Sequence, residues 1–502
     1  MIKQLTLALI ALACVPPAIA ADAPDLTRPN VIVILCDDLG QGDPVCYNPD
    51  SKIPTPSMDR LAKEGIRFND AHTPSSVCTP TRYSTLTGRY CWRTRLKKGV
   101  LWNGWEQALI EEDRETIASM LDGYDYTSAA IGKWHLGWNW KTTDGKPASP
   151  KAHTAGTVDY ENPVERGPLE IGFDHSYLIP ASLDMAPYLW LVDDRAAEAP
   201  TAQTPGSKHR RQNGGGFWRK GPMSPGFDFY GVVPTSSEAS IAFIDRIAAE
   251  QREGDDEPFF LYYPLPAPHT PWVPTKEFHG DTEVGWYGDF VAQTDAELGR
   301  LLAALDRNGL AENTIVVFTS DNGSHWPEGD IEKWGHDANN GWRGQKADIH
   351  EAGHRVPFLV RWPAVIEAGS VSDQTICLTD LYATLAQVVG HKLKDSEAED
   401  SVSLLSIFKG TADKPVREAT VHHSLSGMFA IRKGDWKLIL GLGAGGFTKI
   451  NTTDAKEAGF EGQLFNLKDD PQEKKNLWKQ EPEVVKELTE LLEKYKVEGR
   501  SR

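Results

Sequence analysis

Four short apolar runs in this chain stop abruptly at side chains that carry charge or move protons. Val31 to Cys36 runs into Asp37 and Asp38, and Tyr126 to Ile131 leads through Gly132 to Lys133, Trp134 and His135. Phe259 to Leu265 leads to His269, and Ile315 to Thr319 leads to Asp321 and Asn322. Runs of this length and composition predict buried strands. Between them, Ser57 to Gly65, Ser236 to Glu250 and Phe290 to Leu305 repeat apolar residues at three and four positions, the helical period. Strand and helix alternate, so the expected fold is α/β: a large mixed, mostly parallel sheet sandwiched by helices. Ligands of such sheets bind beyond the carboxyl ends of the strands, so these four segments are expected to meet in one crevice.

The 502 residues carry 53 Lys and Arg against 71 Asp and Glu, a formal net charge of −18. That excess of acid opposes the clustered basic surface needed to track phosphates, so nucleic acid is excluded as a partner. An anionic substrate must meet a locally positive site. With 40% hydrophobic and 25% charged residues, the composition is that of a globular chain rather than a disordered, collagen-like or multi-span one.

Residues 1–20 combine Lys3, an apolar run from Leu5 to Val15, Pro16 and Pro17, and a small-residue end at Ala18, Ile19 and Ala20. They predict a signal peptide and export, periplasmic or secreted, because the run is shorter than the roughly 20 residues of a stable membrane span. Cys14 only approximates a lipid-attachment box, so lipoprotein anchoring is the weaker expectation. Leaving aside Cys14 and Cys78, four cysteines remain at 36, 46, 91 and 377. They are too few for a disulfide scaffold, although export is compatible with one bridge.

From about Lys141 to Gly231 periodicity is weak, predicting long loops, with a basic island at Lys208, His209, Arg210, Arg211, Arg219 and Lys220. It is expected to be a solvated loop, or else to recognise a charged polymer. The acidic stretch Asp395 to Ser401 interrupts the pattern, and past it the texture changes. Three hairpin strands and an amphipathic helix from Pro482 to Lys496 predict a smaller C-terminal antiparallel sheet plus helix at 416–498, following a main α/β unit at 28–415.

Asp37, Asp38, Asp321 and Asn322 offer hard oxygen donors and no thiolate, and three carboxylates together repel unless a cation sits between them. That pattern points to Ca²⁺, with Mg²⁺ second. Near them in function stands Ser76-Val77-Cys78-Thr79-Pro80-Thr81-Arg82. Thr79 is expected as an N-cap and Pro80 as the first helical residue, with Cys78 at the helix N-terminus and Arg82 one turn on. Such a position stabilises anions and lowers a thiol's pKa; the plain alternative is a buried, inert cysteine.

Cys78-Thr79-Pro80-Thr81-Arg82, followed by Leu86-Thr87-Gly88-Arg89, resembles the C-x-P-x-R signature of the type I sulfatases, in the alkaline phosphatase superfamily. Gly132-Lys133-Trp134-His135-Leu136-Gly137 is similar to the family's second signature, with Asp37-Asp38, His269 and Asp321-Asn322-Gly323 in the expected order. Lys346 ahead of Glu351-Ala352-Gly353-His354-Arg355, and the late Leu464-Phe465-Asn466-Leu467, extend the resemblance over most of the chain. Two segments depart from it: Gly40-Gln41-Gly42-Asp43, where many relatives have a tyrosine, and Trp342-Arg343-Gly344-Gln345 before Lys346.

The resemblance implies that a formylglycine-generating maturation enzyme oxidises Cys78 to formylglycine, whose hydrate attacks sulfur while bound to Ca²⁺. It implies metal ligation by Asp37, Asp38, Asp321, Asn322 and the modified Cys78. Asp321 would help deprotonate the attacking hydroxyl; Lys133, Lys346 and Arg82 would orient and neutralise the sulfate. His269, with Lys346, would protonate the leaving alcohol, and His135 would take the proton of the second hydroxyl. The implied substrate is a sulfated saccharide or an aryl sulfate. Two other readings stay open: a phosphate or phosphonate ester hydrolase of the same superfamily, and an inactive sulfated-glycan binding protein. Trp134, Trp138 and Trp140, and Trp326, Trp334 and Trp342, flank the motifs, either stacking on sugars or packing in the core.

Overall fold

The computed structural model describes residues 25–207 and 217–502. The leader at 1–20 and the basic residues 208–211 lie outside the described residues.

Ten strands form the main sheet. From one edge they run Ser370–Ser372, Ile66–Phe68, Phe358–Arg361, Thr314–Ser320, Asn30–Asp37, Phe259–Pro268, Thr127–Lys133, His175–Ile179, Leu191–Val192 and Arg195–Ala196. The five from Thr314–Ser320 to His175–Ile179 pair in parallel, and antiparallel pairings flank them. The central strand is apolar throughout because both its faces are covered: Val31, Val33 and Leu35 enter one hydrophobic cluster, Ile32, Ile34 and Cys36 the other. Each such side chain removed from water contributes about 1.5–3 kcal/mol.

Helices Pro56–Glu64, Val232–Glu253 and Gly285–Asn308 cover one face, burying Leu61, Ile244 and Leu301 among others. The first begins with Pro56, and the Asp295 carboxylate accepts from the N–H groups of Ser57 and Met58, satisfying donors that the helix itself leaves open. Helices Cys78–Thr87, Ile117–Asp122 and Asp380–Val388 cover the other face.

Two sequence expectations need correction. His175–Ile179, inside the segment expected to be loop, is a full member of the sheet; five residues beginning with two polar ones carry too little periodicity to announce a strand. The acidic stretch that interrupts the sequence pattern is tied into the fold: Asp400 is buried and takes a two-pronged contact from Arg93, while Glu399 pairs with Arg89 and Arg114. The five described cysteines, Cys36, Cys46, Cys78, Cys91 and Cys377, are all free thiols, so the compatible bridge is absent among them.

Strands Thr420–His423, Phe429–Lys433, Trp436–Ile439 and Gln463–Asn466 form a separate antiparallel sheet in that order. Helix Pro482–Glu498 covers it with Leu488, Leu492 and Tyr495, spaced to share one face. A buried ionic network joins this sheet to the main body. Lys437 donates to Glu351 and to His354 Nε2, both at 3.0 Å, and Arg432 and Arg355 both bind Asp70 at 2.7 Å.

The protons of this joint are ordered by their partners. Since Lys437 donates to His354 Nε2, the His354 Nδ1–H donates to His72 Nδ1 at 3.0 Å, and His72 Nε2–H donates to Asp70 at 2.8 Å. His422 Nδ1–H donates to the Thr73 carbonyl at 2.8 Å. Although His72, His354 and His422 gather closely enough to hold a metal ion, the proton on His354 Nδ1 opposes it. So does the existing balance of three cations, Arg355, Arg432 and Lys437, against Asp70, Glu351 and Glu473.

Burial holds all three imidazoles below the usual histidine range, His354 and His422 well below it. Each therefore binds a proton more readily in the unfolded chain, near pH ~6.5, than in the folded one. Stability from this source is complete above that pH and declines as pH falls below it. The melting temperature is expected to drop between pH 7.5 and 5.5, measured by scanning calorimetry. His422→Asn, whose amide still reaches Thr73, should shrink that drop; an unchanged drop would count against the joint as its cause.

Candidate active site

Register brings the strand ends level. Cys36 lies opposite Ser320 and Asp37 opposite Pro268, so Asp321 follows beside Asp37 and His269 one residue beyond the neighbouring strand. Asp38 and His135 adopt left-handed backbone, φ 67° and 57°, turning the chain sharply at both ends. Gly132, at φ 131°, lets its strand press against the next: a Cβ there would lie 2.1 Å from the Pro264 carbonyl oxygen.

Cys78 opens helix Cys78–Thr87. The residue before it, Val77, is the N-cap, so Thr79 does not cap as expected; its hydroxyl instead accepts from the Leu101 N–H at 3.3 Å. Pro80 is the third helical residue rather than the first as expected, still within the first turn, where a missing N–H leaves no intrahelical bond unmade. Arg82 follows one turn on.

All ten residues singled out from the sequence meet in one cluster. Arg82 Nε and Nη2 donate to one oxygen of Asp321 at 3.0 and 2.7 Å, and its Nη1 donates to the Lys133 carbonyl at 3.0 Å. Lys133 donates to Asp37 Oδ2 and, at 3.2 Å, to Ser182 Oγ. Lys346 lies 2.8 Å from Asp38 Oδ1, to which Asn322 Nδ2 donates at 2.7 Å. His269 Nε2 lies 3.8 Å from Asp38 Oδ2. His135 Nδ1 lies 3.3 Å from Cys78 Sγ, while its Nε2 is 2.7 Å from the Leu101 carbonyl. A carbonyl only accepts, so Nε2 carries the proton and the Nδ1 lone pair faces Cys78.

Burial alone would raise the Asp37 carboxyl, but Lys133, aided by His269, Arg82 and Lys346, overrides it and holds it far below the usual range. Asp38 is lowered in the same way, chiefly by Lys346. Asp321 goes up to about 7, through burial and then the charge of Asp37, against Arg82 and Lys133. A divalent cation among these groups would bring it back down. Burial, and then Lys133, hold His135 neutral, well below the usual range. Cys78 is pushed up to about 11 by burial, against Lys133 and Lys346, so the lowered thiol pKa expected at a helix N-terminus is not found.

The residues present fit a hard cation. Asp37 Oδ1 and Asn322 Oδ1 are buried oxygens without hydrogen-bond partners, and one oxygen each of Asp37 and Asp321 lies within 4.8 Å of the other and of Cys78 Sγ. Over the cluster opens a cavity of about 340 Å³, with Cys78, His269 and Lys346 in its buried part and the exposed Trp102 and Phe447 at its mouth.

Several residues of this cavity escaped sequence reasoning: Trp102, Ser182, Asp184, Arg219 and Phe447. They lie on irregular segments without periodicity, and only Arg219 was noticed, as part of a basic island. Conversely Trp134, Trp138, Trp140 and Trp326 are buried and pack against one another or other rings, so for these four the core alternative holds. Trp342 lies under the Arg355 guanidinium and donates to Gln41 at 2.8 Å, which joins the two departures from the family pattern to each other. Glu351, His354 and Arg355 belong to the ionic joint rather than to the cavity.

Arg82→Met would leave Asp321 buried beside Asp37 with its main partner gone. A loss of about 3–5 kcal/mol in unfolding free energy is expected, measured by urea denaturation. A loss below about 1 kcal/mol would show that the pair is not the lock inferred from its geometry.

Residues 29–391 match the family model described as Sulfatase, and residues 339–498 match that of N-sulphoglucosamine sulphohydrolase, C-terminal. The N-acetylgalactosamine-6-O-sulfatase of Bacteroides thetaiotaomicron is 32% identical, with 93% of each chain covered. The steryl-sulfatase of Mus musculus is also 32% identical, over 85% of this chain and 72% of that one. A sulfatase solved in work on the metabolism of multiple glycosaminoglycans by Bacteroides thetaiotaomicron superposes with a TM-score of 0.78 at 31% identity, covering 94% of this chain and all of that one. Sheet, strand-end cluster and these likenesses agree: the chain belongs to the type I sulfatase family and is a sulfuric ester hydrolase.

Proposed function

We propose that this enzyme removes sulfate from a sulfated carbohydrate, using formylglycine formed from Cys78 and Ca²⁺ held by Asp37, Asp38, Asp321 and Asn322. One observation carries the reading: position 78 is met at once by a neutral histidine lone pair, two lysines and two carboxylates. The thiol itself would be a poor nucleophile, because with its pKa near 11 almost none is thiolate at neutral pH. An aldehyde hydrate at that position supplies a better nucleophile that can later release sulfate, and Ca²⁺ supplies positive charge for it and for the sulfate oxygens.

The chain's own residues do the rest. Lys133, Lys346 and Arg82 present fixed positive charge to the sulfate, stabilisation that costs no reorganisation during reaction. Asp321, gripped by Arg82, accepts the proton of the attacking hydroxyl. His135 accepts the proton of the second hydroxyl at Nδ1, its tautomer fixed by the Leu101 carbonyl. His269 lies on the cavity with Nδ1 held against the Thr270 carbonyl and near Ser182, which leaves Nε2, 3.8 Å from Asp38 Oδ2, to serve the leaving oxygen; with Lys346 it protonates the alcohol.

The carbohydrate reading draws on the curated relative named for N-acetylgalactosamine 6-O-sulfate. Among the described residues no helix is long and apolar enough to cross a membrane. Together with the leader expected at 1–20, this supports export to the periplasm or beyond, after maturation by a formylglycine-generating enzyme.

Mass spectrometry of protein made with that enzyme should find the Cys78 peptide lighter than its thiol form. Cys78→Ala should abolish sulfate release at unchanged melting temperature; retained turnover would end the proposal. Chelation of Ca²⁺ should lower both the rate and the melting temperature, and added Ca²⁺ should restore them. A chelated enzyme that keeps both would remove the cation from the scheme.

A further inference from the structure

The wall of the cavity holds a charged group that the reaction does not use. Asp184 is buried, its side chain only 4% exposed, and lines the cavity above Cys78. One carboxylate oxygen lies 3.1 Å from Arg219 Nη2; the other, Oδ1, has no hydrogen-bond partner. A buried acceptor left open is costly, and in a native fold it asks for an explanation.

Asp184 is also held in place. It stands two residues after Ser182, which touches both Lys133 and His269, and a turn bond from Met185 N–H to the Ser182 carbonyl at 2.8 Å fixes the spacing. The Asp184 carbonyl accepts from the Arg219 N–H at 3.2 Å, and the Tyr188 hydroxyl lies 2.9 Å from that carbonyl and 2.7 Å from Arg219's. The carboxylate thus keeps a set distance from the sulfate-binding lysine.

A carboxylate accepts and cannot donate, so its open oxygen calls for a ligand O–H or N–H. It would repel a sulfate, and Arg219 offsets its charge so that both fit in one cavity. We infer that Asp184, steadied by Arg219, reads the ring hydroxyl nearest the sulfate ester, and so selects sulfated sugars over aryl or steroid sulfates. This deepens the carbohydrate reading above and rests on it. Arg219 and Trp102 also border an adjoining cavity of about 820 Å³, so the pair sits where a sugar chain would continue.

The test compares kcat/KM of wild type and Asp184→Asn on two probes. One is the best substrate in a panel of galactose, glucose and hexosamine monosulfates; the other is 4-nitrophenyl sulfate. The ratio of sugar to aryl efficiency should fall roughly 10- to 100-fold in the variant. For the wild type alone, deleting the ring hydroxyl nearest the sulfate ester should lower the sugar's kcat/KM by a similar factor, a readout that no folding defect can imitate. Equal losses on both probes, no loss on either, or deoxy sugars as good as the parent would overturn the role of Asp184. A wild type that prefers 4-nitrophenyl sulfate to every sugar in the panel would instead bring down the carbohydrate reading, and this inference with it.

Discussion

Three carboxylates and three cations share one buried crevice, and each survives there only because the others do. Asp37, Asp38 and Asp321 balance Arg82, Lys133 and Lys346, with the closest contacts between Lys133 and Asp37, Arg82 and Asp321, and Lys346 and Asp38. Taking any of these ions from water costs several kcal/mol, and breaking one pair leaves a charge that nothing else offsets. A set that sums to zero is also poised: a divalent cation among the carboxylates would make it positive, as an arriving sulfate ester requires. The acidic charge of the whole chain is then irrelevant, because local compensation decides what the cavity admits.

That balance is a consequence of sheet register. A one-residue slip of Asn30–Asp37 against Thr314–Ser320 would turn Asp37 to the opposite face and separate it from Asp321. The register is pinned by two hydrophobic clusters that take alternate residues of the same strand, so the core energy and the site geometry are one constraint. The left-handed turns at Asp38 and His135 carry local strain, tolerable where flanking strands this well buried hold the backbone.

Much of this was legible in the sequence because strands announce themselves by apolar runs and their ends by sudden polarity. Asp37, Lys133, His269 and Asp321 were found that way, and Cys78 through Arg82 by the pattern around them. Asp184, Ser182 and Trp102 were not, since they sit on irregular chain whose course is set by contacts such as those of the Tyr188 hydroxyl with the Asp184 and Arg219 carbonyls. The thiol of Cys78 goes the other way from its expectation, because burial outweighs the two nearby lysines. Gln41 and Trp342 looked like two unrelated departures and are one contact, which only proximity in space can reveal.

The C-terminal sheet is part of the same machine. The Ser76 N–H donates to the His423 carbonyl at 3.1 Å, the Ala347 N–H to the Ser76 carbonyl at 2.8 Å, and the Leu425 N–H to the Ala347 carbonyl at 3.0 Å. Those bonds bind the segments just before Cys78 and just after Lys346 to the end of strand Thr420–His423, and Leu425 and Phe447 complete the cavity wall. The ionic joint around His72, His354 and His422 holds that sheet in place. Protons that loosen the joint would therefore reach position 78 and Lys346 through the backbone, without titrating any group of the strand-end cluster itself.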